Sequence, residues 1–297
     1  MAPPAPGSRP GPETLTFLWT DLPPDRPAVM GILNTTPDSF SDGGRHFDPA
    51  AAIAAGRAMG AAGADILDVG GESTRPGADP VPPEEECRRI LPVIAALAAA
   101  GHRVSVDTRN AATMAAALDA GAVIVNDVSA LAHDPRALPL VAARGCAVVL
   151  MHMRGTPATM ASLARYDDVV AEVREELAAR LAACRAAGLR GEAIALDPGI
   201  GFAKTRAQNA ALLRGLPALA ALGYPLLVGL SRKSLIGALA GAGGEAPAPG
   251  ARLAGSLAGA LFALSRGARI LRVHDVAETV QAVRVWGALA GPDGPGG

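Results

Sequence analysis

The chain has 297 residues, half of them hydrophobic, and aromatic residues make up only 3% of it. Its formal net charge of −1 excludes the general attraction by which basic proteins bind nucleic acids or anionic membranes. The sequence contains no apolar run of about 18 residues, the length that a membrane span requires. The first residues also lack the apolar stretch of a signal peptide. We therefore expect a cytoplasmic protein that binds neither nucleic acid nor membrane.

The three cysteines, Cys87, Cys146 and Cys184, are odd in number and far apart in the chain. This spacing predicts neither a disulfide framework nor a zinc site, so we expect free thiols in a reducing compartment. Cys146 lies in an apolar segment, and the sequence leaves open whether its thiol is reactive or only packed.

Residues 1–27 contain many prolines and predict a flexible leader. Within the leader, residues 15–19 are a candidate short strand beneath the domain that follows. From residue 28 onward no change of composition marks a second domain, so we expect a single catalytic domain over residues 28–297.

Eight short apolar runs follow the leader, and most of them stop at a polar or charged residue. These residues are Asn34, Asp68, Asp107, Asn126, His152, Asp197, Ser231 and Arg272. Helices are predicted over residues 49–62, 83–99, 110–120, 135–144, 166–187, 205–222, 234–240 with 251–266, and 275–288. Strands that alternate with helices predict an α/β fold with a parallel sheet. Eight such units favour a single (β/α)8 TIM barrel over a doubly wound sheet.

Two connections, after the first and second strands, are too elaborate for simple spacers. They cover residues 34–44 and 70–77, and both combine glycine with hydroxyl and charged side chains. We expect two long active-site loops that close over a ligand. The alternative is that both are ordinary strand-to-helix connections.

Asp107, Asn126 and Asp197 end three different strands, and in a barrel such strand ends converge on one face. Two carboxylates and an amide can hold the polar edge of a flat heterocycle, and Lys233 can donate to the same ring from the other side. Met151 and Phe202 either flank that ring or pack in the core. The alternative is that the polar residues separately cap the helices that follow them.

Arg272 and His274 lie on the same face of the last strand, because side chains alternate along a strand. A helix is predicted to begin just beyond them, which favours a phosphate site at this end of the barrel. Asn34 ends the neighbouring first strand and is a candidate ligand for a Mg²⁺ that is also held by phosphate oxygens.

Several segments together resemble the signatures of bacterial dihydropteroate synthase. They are residues 30–44 (MGILNTTPDSFSDGG), 63–77 (GADILDVGGESTRPG), 104–108 (VSVDT), 125–127 (VND), 196–202 (LDPGIGF), 231–234 (SRKS) and 272–275 (RVHD). The resemblance extends over about residues 28–286 and is specific, because the motifs agree in order and spacing. Thr35 departs from the family, which usually has valine at this place.

The resemblance implies a Mg²⁺-dependent condensation of 6-hydroxymethyl-7,8-dihydropterin diphosphate with 4-aminobenzoate, which gives 7,8-dihydropteroate and diphosphate. It assigns the pterin to Asp107, Asn126, Asp197 and Lys233, and the diphosphate to Asn34, Arg272 and His274. It assigns aminobenzoate, and sulfonamides that compete with it, to Phe40, Ser73, Thr74, Arg75, Pro76 and Ser234. It also implies a homodimer formed through barrel helices.

Two other functions remain open at this point. A methyltetrahydrofolate:corrinoid methyltransferase resembles this fold and its pterin clamp but handles no diphosphate, so Arg272 and His274 argue against it. A pterin-binding paralogue without synthase activity would be expected to lose part of the two loops, and here both loops are complete in sequence.

Overall fold

The computed structural model of the chain describes residues 17–35, 48–73, 81–241 and 245–290. Eight parallel strands pair in sequence order, and the last strand pairs with the first, so the sheet closes into a barrel. The strands are β1 (Ala28–Asn34), β2 (Ile66–Gly70), β3 (Val104–Asp107), β4 (Ile124–Asp127), β5 (Ala147–Met151), β6 (Ile194–Asp197), β7 (Leu226–Gly229) and β8 (Ala268–Val273). This closed barrel confirms the predicted fold.

Helices follow the strands along the chain. They are α1 (Pro49–Ala61), α2 (Pro83–Ala99), α3 (Ala111–Asp119), α4 (Ala137–Arg144), α5 (Val169–Ala186), α6 (Arg206–Arg214), α7 (Leu216–Ala220), α8 (Ser234–Ala240), α9 (Leu253–Leu264) and α10 (Val276–Ala290). Side-chain oxygens cap several of their first turns: Asp48 accepts from Ala50 N at 2.8 Å, and Thr205 forms a capping box with Gln208.

The predicted helix over residues 205–222 is wrong in one respect, because it is two helices that meet at Gly215. Pro217 lacks the N–H of a regular helix and its ring cannot pass the carbonyl four residues earlier. A Cβ on Gly215 would lie 2.5 Å from a methyl group of Val170 on α5. The break therefore lets the chain pass close to α5.

Side chains along each strand point alternately into two apolar layers. Val29 and Leu33 of β1 face the helices, whereas Met30 belongs to a second cluster inside the barrel. Both faces of each strand are therefore buried, which explains why the strands read as nearly continuous apolar runs. Most of the buried polar residues of the strands, such as Asp107, Asn126 and Asp197, lie near the carboxyl ends.

The end of the proline-rich leader closes the bottom of the barrel. Phe17 and Trp19 are buried, and their rings meet edge to face with centroids 5.3 Å apart. The Trp19 indole N–H donates to the carbonyls of Ala193 at 3.1 Å and Val148 at 3.3 Å. Trp19–Asp21 is a 3-10 helix rather than the expected strand. Residues 1–16 lie outside the described residues, so the predicted flexibility of the leader stays a prediction.

The buried thiol of Cys146 is not poised for reaction. Burial raises its pKa to about 11, so the thiolate that would react is scarce at neutral pH.

Within the described ranges, no helix combines the length and the apolar character that crossing a bilayer requires.

Replacing Trp19 tests the closure of the barrel bottom. Trp19→Ala is expected to lower the free energy of unfolding by about 3–5 kcal/mol, because it removes a large buried side chain and leaves a cavity. Trp19→Phe keeps an aromatic ring but loses both hydrogen bonds, so a smaller loss is expected. Urea unfolding followed by circular dichroism measures both variants, and equal stability of Trp19→Ala and wild type would contradict this role.

Candidate active site

The carboxyl ends of the strands bring most of the predicted site residues to one mouth of the barrel. The strand register pairs Asn34 with Gly70, Gly70 with Asp107, and Asp107 with Asn126. Asp197 lies at the end of β6, where it pairs with Met151. Gly70, which lies between Asn34 and Asp107 in this register, has no side chain. A Cβ at this position would lie 3.3 Å from the Cβ of Asp107. Gly70 therefore leaves room for the side chain of Asp107.

Arg272 links two of the buried carboxylates inside the barrel. Its Nε lies 2.6 Å from Asp68 Oδ2, and its Nη2 lies 2.6 Å from Asp107 Oδ2. Burial opposes the charge of Arg272, but the two carboxylates outweigh it and raise its pKa. Burial raises the pKa of Asp107 to about 7, and the charge of Arg272 offsets part of that effect. One predicted pterin residue, Asp107, is therefore in direct contact with one predicted diphosphate residue, Arg272.

Asp68 belongs to the same cluster, although it was not predicted as a site residue. Its side chain is fully buried, and Oδ2 also accepts a hydrogen bond from Asn126 Nδ2 at 3.0 Å. Its Oδ1 is buried without a hydrogen-bond partner among the described residues. The apolar run that stops at Asp68 was a usable signal, but β2 continues to Gly70, so Asp68 is not the end of its strand.

A turn after β6, residues 197–203, forms the opposite wall of the mouth. Asp197 Oδ1 accepts from Gly199 N at 2.7 Å, which fixes the carboxylate, and burial raises its pKa. Lys233 Nζ donates to the carbonyl of Ile200 at 2.5 Å and lies 4.7 Å from the centre of the Phe202 ring. Burial lowers the pKa of Lys233 to about 8, while the charge of Asp197 works against that shift. Lys233 and Phe202 thus stand together beside Asp197.

His274 follows β8 and is held by the segment after β7. Its backbone N–H donates to Ser231 Oγ at 3.1 Å, and its Nδ1 lies 3.0 Å from the same oxygen. The next residue of that segment, Arg232, has a left-handed backbone with φ 60° and forms a two-bond ion pair with Asp275. Helix α10 begins at Val276, as predicted for the phosphate site. The ion pair joins the segments that carry Lys233 and His274.

Asn34 is the residue that could hold a metal ion beside this site. Among the residues that the structure describes, no three His, Cys, Asp or Glu side chains form a metal cage. A single amide suits Mg²⁺, which keeps several waters and takes substrate phosphates as ligands. The neighbouring Thr35 is fully buried, and its hydroxyl donates to Gly70 O at 3.0 Å. The Thr35 hydroxyl therefore has a hydrogen-bond partner, at a position where the family usually has valine.

Most residues predicted to contact aminobenzoate cannot be placed, because Phe40, Thr74, Arg75 and Pro76 lie outside the described residues. Ser73 is half-buried just before the second of these segments, and Ser234 is exposed at the start of α8.

The described ends of the second loop are tied together by Glu72. Its Oε1 accepts from Val81 N at 3.2 Å and lies 3.0 Å from Arg109 Nη2. This ion pair is mostly buried, with exposed side-chain fractions of 12% for Arg109 and 7% for Glu72. Glu72 therefore links Val81 to Arg109, in the connection between β3 and α3.

Known proteins resemble the chain in sequence and in structure. The sequence model of the pterin binding enzyme family matches residues 30–274. Dihydropteroate synthase from Neisseria meningitidis serogroup C is 50% identical over 269 residues, which cover 89% of this chain and 93% of that protein. The chain belongs to the dihydropteroate synthase family.

Solved structures of this family share the fold. The Xanthomonas albilineans dihydropteroate synthase with 4-aminobenzoic acid superposes with a TM-score of 0.84 at 52% identity, covering 90% of this chain and 94% of that one. The same enzyme in complex with 7,8-dihydropteroate gives a TM-score of 0.81 at 49% identity, with 90% and 95% covered. As a member of the family, the chain is a transferase of folate biosynthesis that forms dihydropteroate.

Substituting Asp197 tests the predicted pterin clamp of this dihydropteroate synthase family member. Asp197→Ala is expected to weaken binding of 6-hydroxymethyl-7,8-dihydropterin at least about 100-fold, because charge-assisted hydrogen bonds to a buried donor edge are lost. Asp197→Asn keeps one acceptor oxygen and should lose less. Titration calorimetry measures both, with exposed Asp25→Ala as the charge control. Unchanged affinity of Asp197→Ala would remove this residue from the pterin site.

Proposed function

We propose that the mouth of the barrel binds 6-hydroxymethyl-7,8-dihydropterin diphosphate beside 4-aminobenzoate and joins them with loss of diphosphate. The observation that carries this proposal is the meeting of an acceptor-rich clamp and a cationic end at Arg272. Asp68 and Asp107 contact Arg272 directly, and His274 lies two residues further along the chain, just after β8. One substrate with a planar donor edge and an anionic tail matches this arrangement.

The clamp recognises the pterin through its donors. Asp107 and Asp197 accept from the ring N–H groups, and Asn126 contributes both a donor and an acceptor. The unpartnered Oδ1 of Asp68 is one more buried acceptor in the same cluster. Lys233 donates to the ring from the side of Phe202. Buried polar groups discriminate strongly against ligands that leave them unpaired, which supports selectivity for a pterin.

The diphosphate lies at the cationic end of the mouth in this proposal. A guanidinium has five N–H donors, and the two ion pairs of Arg272 use two of them. His274 follows β8 directly, and the first turn of α10 adds backbone N–H groups. Asn34 would hold Mg²⁺ together with diphosphate oxygens, and the ion would stabilise the charge that develops on the leaving group.

The residues suit a reaction in which bond cleavage runs ahead of attack. The bond between the exocyclic methylene carbon and the diphosphate oxygen breaks, and its electron pair leaves with the diphosphate. Arg272 and His274 stabilise that charge, while Asp107 and Asp197 favour the cation that is delocalised into the pterin. The amine nitrogen of aminobenzoate then bonds to the methylene carbon and loses a proton, which the released diphosphate accepts. This step needs orientation more than a strong base, and it needs water kept out.

Aminobenzoate approaches between Ser234 and the two loops in this proposal. Ser234 follows Lys233 directly in the chain and is the first residue of α8. Phe40, Ser73, Thr74, Arg75 and Pro76 remain proposed contacts of aminobenzoate and of competing sulfonamides.

Two coupled measurements test the activity. Diphosphate release is expected only when pterin diphosphate, aminobenzoate and Mg²⁺ are all present, and chelation of the metal should stop it. His274→Ala should raise the KM for pterin diphosphate about tenfold, the scale of one hydrogen bond between charged groups, with little change in binding of the uncharged hydroxymethyl pterin. Release that does not depend on aminobenzoate would contradict the synthase reaction, and equal losses for both pterins would contradict the role of His274.

We also propose that the chain forms a homodimer through helices α8, α9 and α10. Four of the five exposed large hydrophobic side chains of the described residues lie on these helices: Leu239, Phe262, Val285 and Leu289. Helix α9 packs against both α8 and α10, so the exposed side chains belong to one adjoining set of helices. Exposed apolar groups on neighbouring elements favour a protein interface.

Sedimentation equilibrium tests the dimer. A mass of twice 29.8 kDa is expected for the wild type at micromolar concentration. Val285→Glu should shift the protein toward monomer, because it buries a charge in the interface, whereas Leu163→Glu on the 3-10 helix after β5 should not. A monomeric wild type would contradict the proposal.

A further inference from the structure

The turn that carries Asp197 and Phe202 has an unusual backbone that needs support from outside. Gly199 has φ 68°, Gly201 has φ 87°, and Ala203 has φ 49°. A Cβ on Gly199 would lie 1.9 Å from the carbonyl oxygen of His152, so the turn passes directly over the end of β5. A non-glycine residue in the left-handed region persists only where its surroundings hold it.

Lys204 supplies that support at the end of the turn. Its Nζ donates to the carbonyls of Gly199 and Phe202, both at 3.0 Å, and to His152 Nδ1 at 2.9 Å. Only 9% of the residue is exposed. A charged ammonium has three protons, and here each has an acceptor.

His152 extends this support to α5. Burial lowers the pKa of His152 to about 4, so its ring is neutral at physiological pH. A neutral ring that accepts at Nδ1 carries its proton on Nε2, which donates to Glu176 Oε2 at 2.9 Å. Arg154 also pairs with Glu176. The turn is therefore tied through Lys204 and His152 to a helix outside the barrel.

We propose that Lys204 is a positioning residue for the pterin, which acts by holding the 197–203 turn so that Asp197 and Phe202 face the ring. This inference rests on the proposed pterin site. Lys204 has its three donors in the turn and in His152 rather than in the mouth. It therefore acts through other residues.

The composition of the chain supports this role. Lysine and arginine together number 27, but the chain has only two lysines, Lys204 and Lys233, and both touch the same turn. A lysine ammonium is a compact charge with three donors around one point, whereas a guanidinium is a planar fork. Three acceptors around one buried point favour lysine.

The charge state of Lys204 follows from its surroundings. Burial lowers its pKa to about 7, and the groups that face it are Asp197, Lys233, Glu176, Arg154 and His152. A neutral amine donates only two hydrogen bonds, so one of the three acceptors loses its bond as the pH rises through the pKa. Charged Lys204 therefore favours the turn geometry that binds the pterin, and by reciprocity a bound pterin favours charged Lys204.

Lysine-selective NMR of the intact protein tests this coupling. Protein labelled with ¹³C at the lysine ε-carbon has two side-chain resonances, and one of them is expected to titrate near pH 7. The uncharged 6-hydroxymethyl-7,8-dihydropterin should raise that pKa by about one unit for a tenfold coupling. Simple exclusion of water by the ligand would lower the pKa instead. An unchanged or lowered pKa of Lys204, with the Lys233 resonance shifted by the ligand, would overturn the inference.

The same titration also tests the proposed pterin site, and a different result would contradict that site. If neither lysine resonance responds to saturating pterin, the proposed pterin site fails as well, because Lys233 is expected to touch the ring. Lys204→Met assigns the resonance, and it should raise the KM for pterin diphosphate at least about tenfold while the KM for aminobenzoate stays within about twofold. Equal changes in both KM values would indicate a structural role only and would overturn the inference.

A second variant keeps the test available if Lys204→Met does not fold. His152→Asn keeps an acceptor for Lys204 but loses the bond to Glu176. It should shift the titration of Lys204 and not that of Lys233, with a smaller rise in the KM for pterin diphosphate. A Lys204 titration identical to that of wild type would contradict the proposed connection to α5.

Discussion

Two carboxylates and one guanidinium share the inside of the barrel mouth, and the rest of the site depends on their pairing. Arg272 contacts Asp68 and Asp107 at 2.6 Å each, where Asp68 is fully buried. A buried charge is costly unless it is paired, and removing one partner leaves the others uncompensated. The pairing therefore holds three ionisable side chains in a space where apolar packing is often equally stable or more stable. In the proposed reaction, this arrangement is used to bind a pterin at one end and an anion at the other.

The apolar part of the barrel makes such a mouth possible. Below it, the inward-facing residues form their own cluster, which Trp19 closes from beneath. Around it, a larger cluster packs the outer faces of the strands against the helices. Because close-packed apolar clusters cover both faces of the strands, the strands are held in place on both sides. Rigid strand ends can orient polar groups that would otherwise need ordering when the ligand binds.

The strands, the helices and much of the mouth were predictable from local pattern. Apolar runs that stop at Asp107, Asn126 and Asp197 locate the carboxyl ends of three strands, although β4 extends one residue further to Asp127, and the structure brings these residues to one face. The break at Gly215 was missed, because close packing against Val170 on another helix decides it. Asp68 was missed as a site residue for a similar reason. Its partner Arg272 is 204 residues away, and a periodic pattern carries no information about such a contact.

Lys204 shows the same limit more clearly. Its sequence context, between Ala203 and Thr205, reads as an ordinary loop before a helix, and Thr205 does begin a capping box. Its role becomes visible only when Gly199, Phe202 and His152 are seen around one nitrogen. The proposed ligand contacts followed from motif and chemistry, whereas the proposed support from behind the site required the three-dimensional structure.

A crystal structure with 6-hydroxymethyl-7,8-dihydropterin tests the central claim most directly. The account predicts that the donor edge of the ring lies within hydrogen-bond distance, about 2.7–3.2 Å, of Asp107, Asn126 and Asp197, with Lys233 on its other side. The hydroxymethyl group should point toward Arg272 and His274. A pterin bound elsewhere, with Arg272 and its two carboxylates unchanged, would contradict the account.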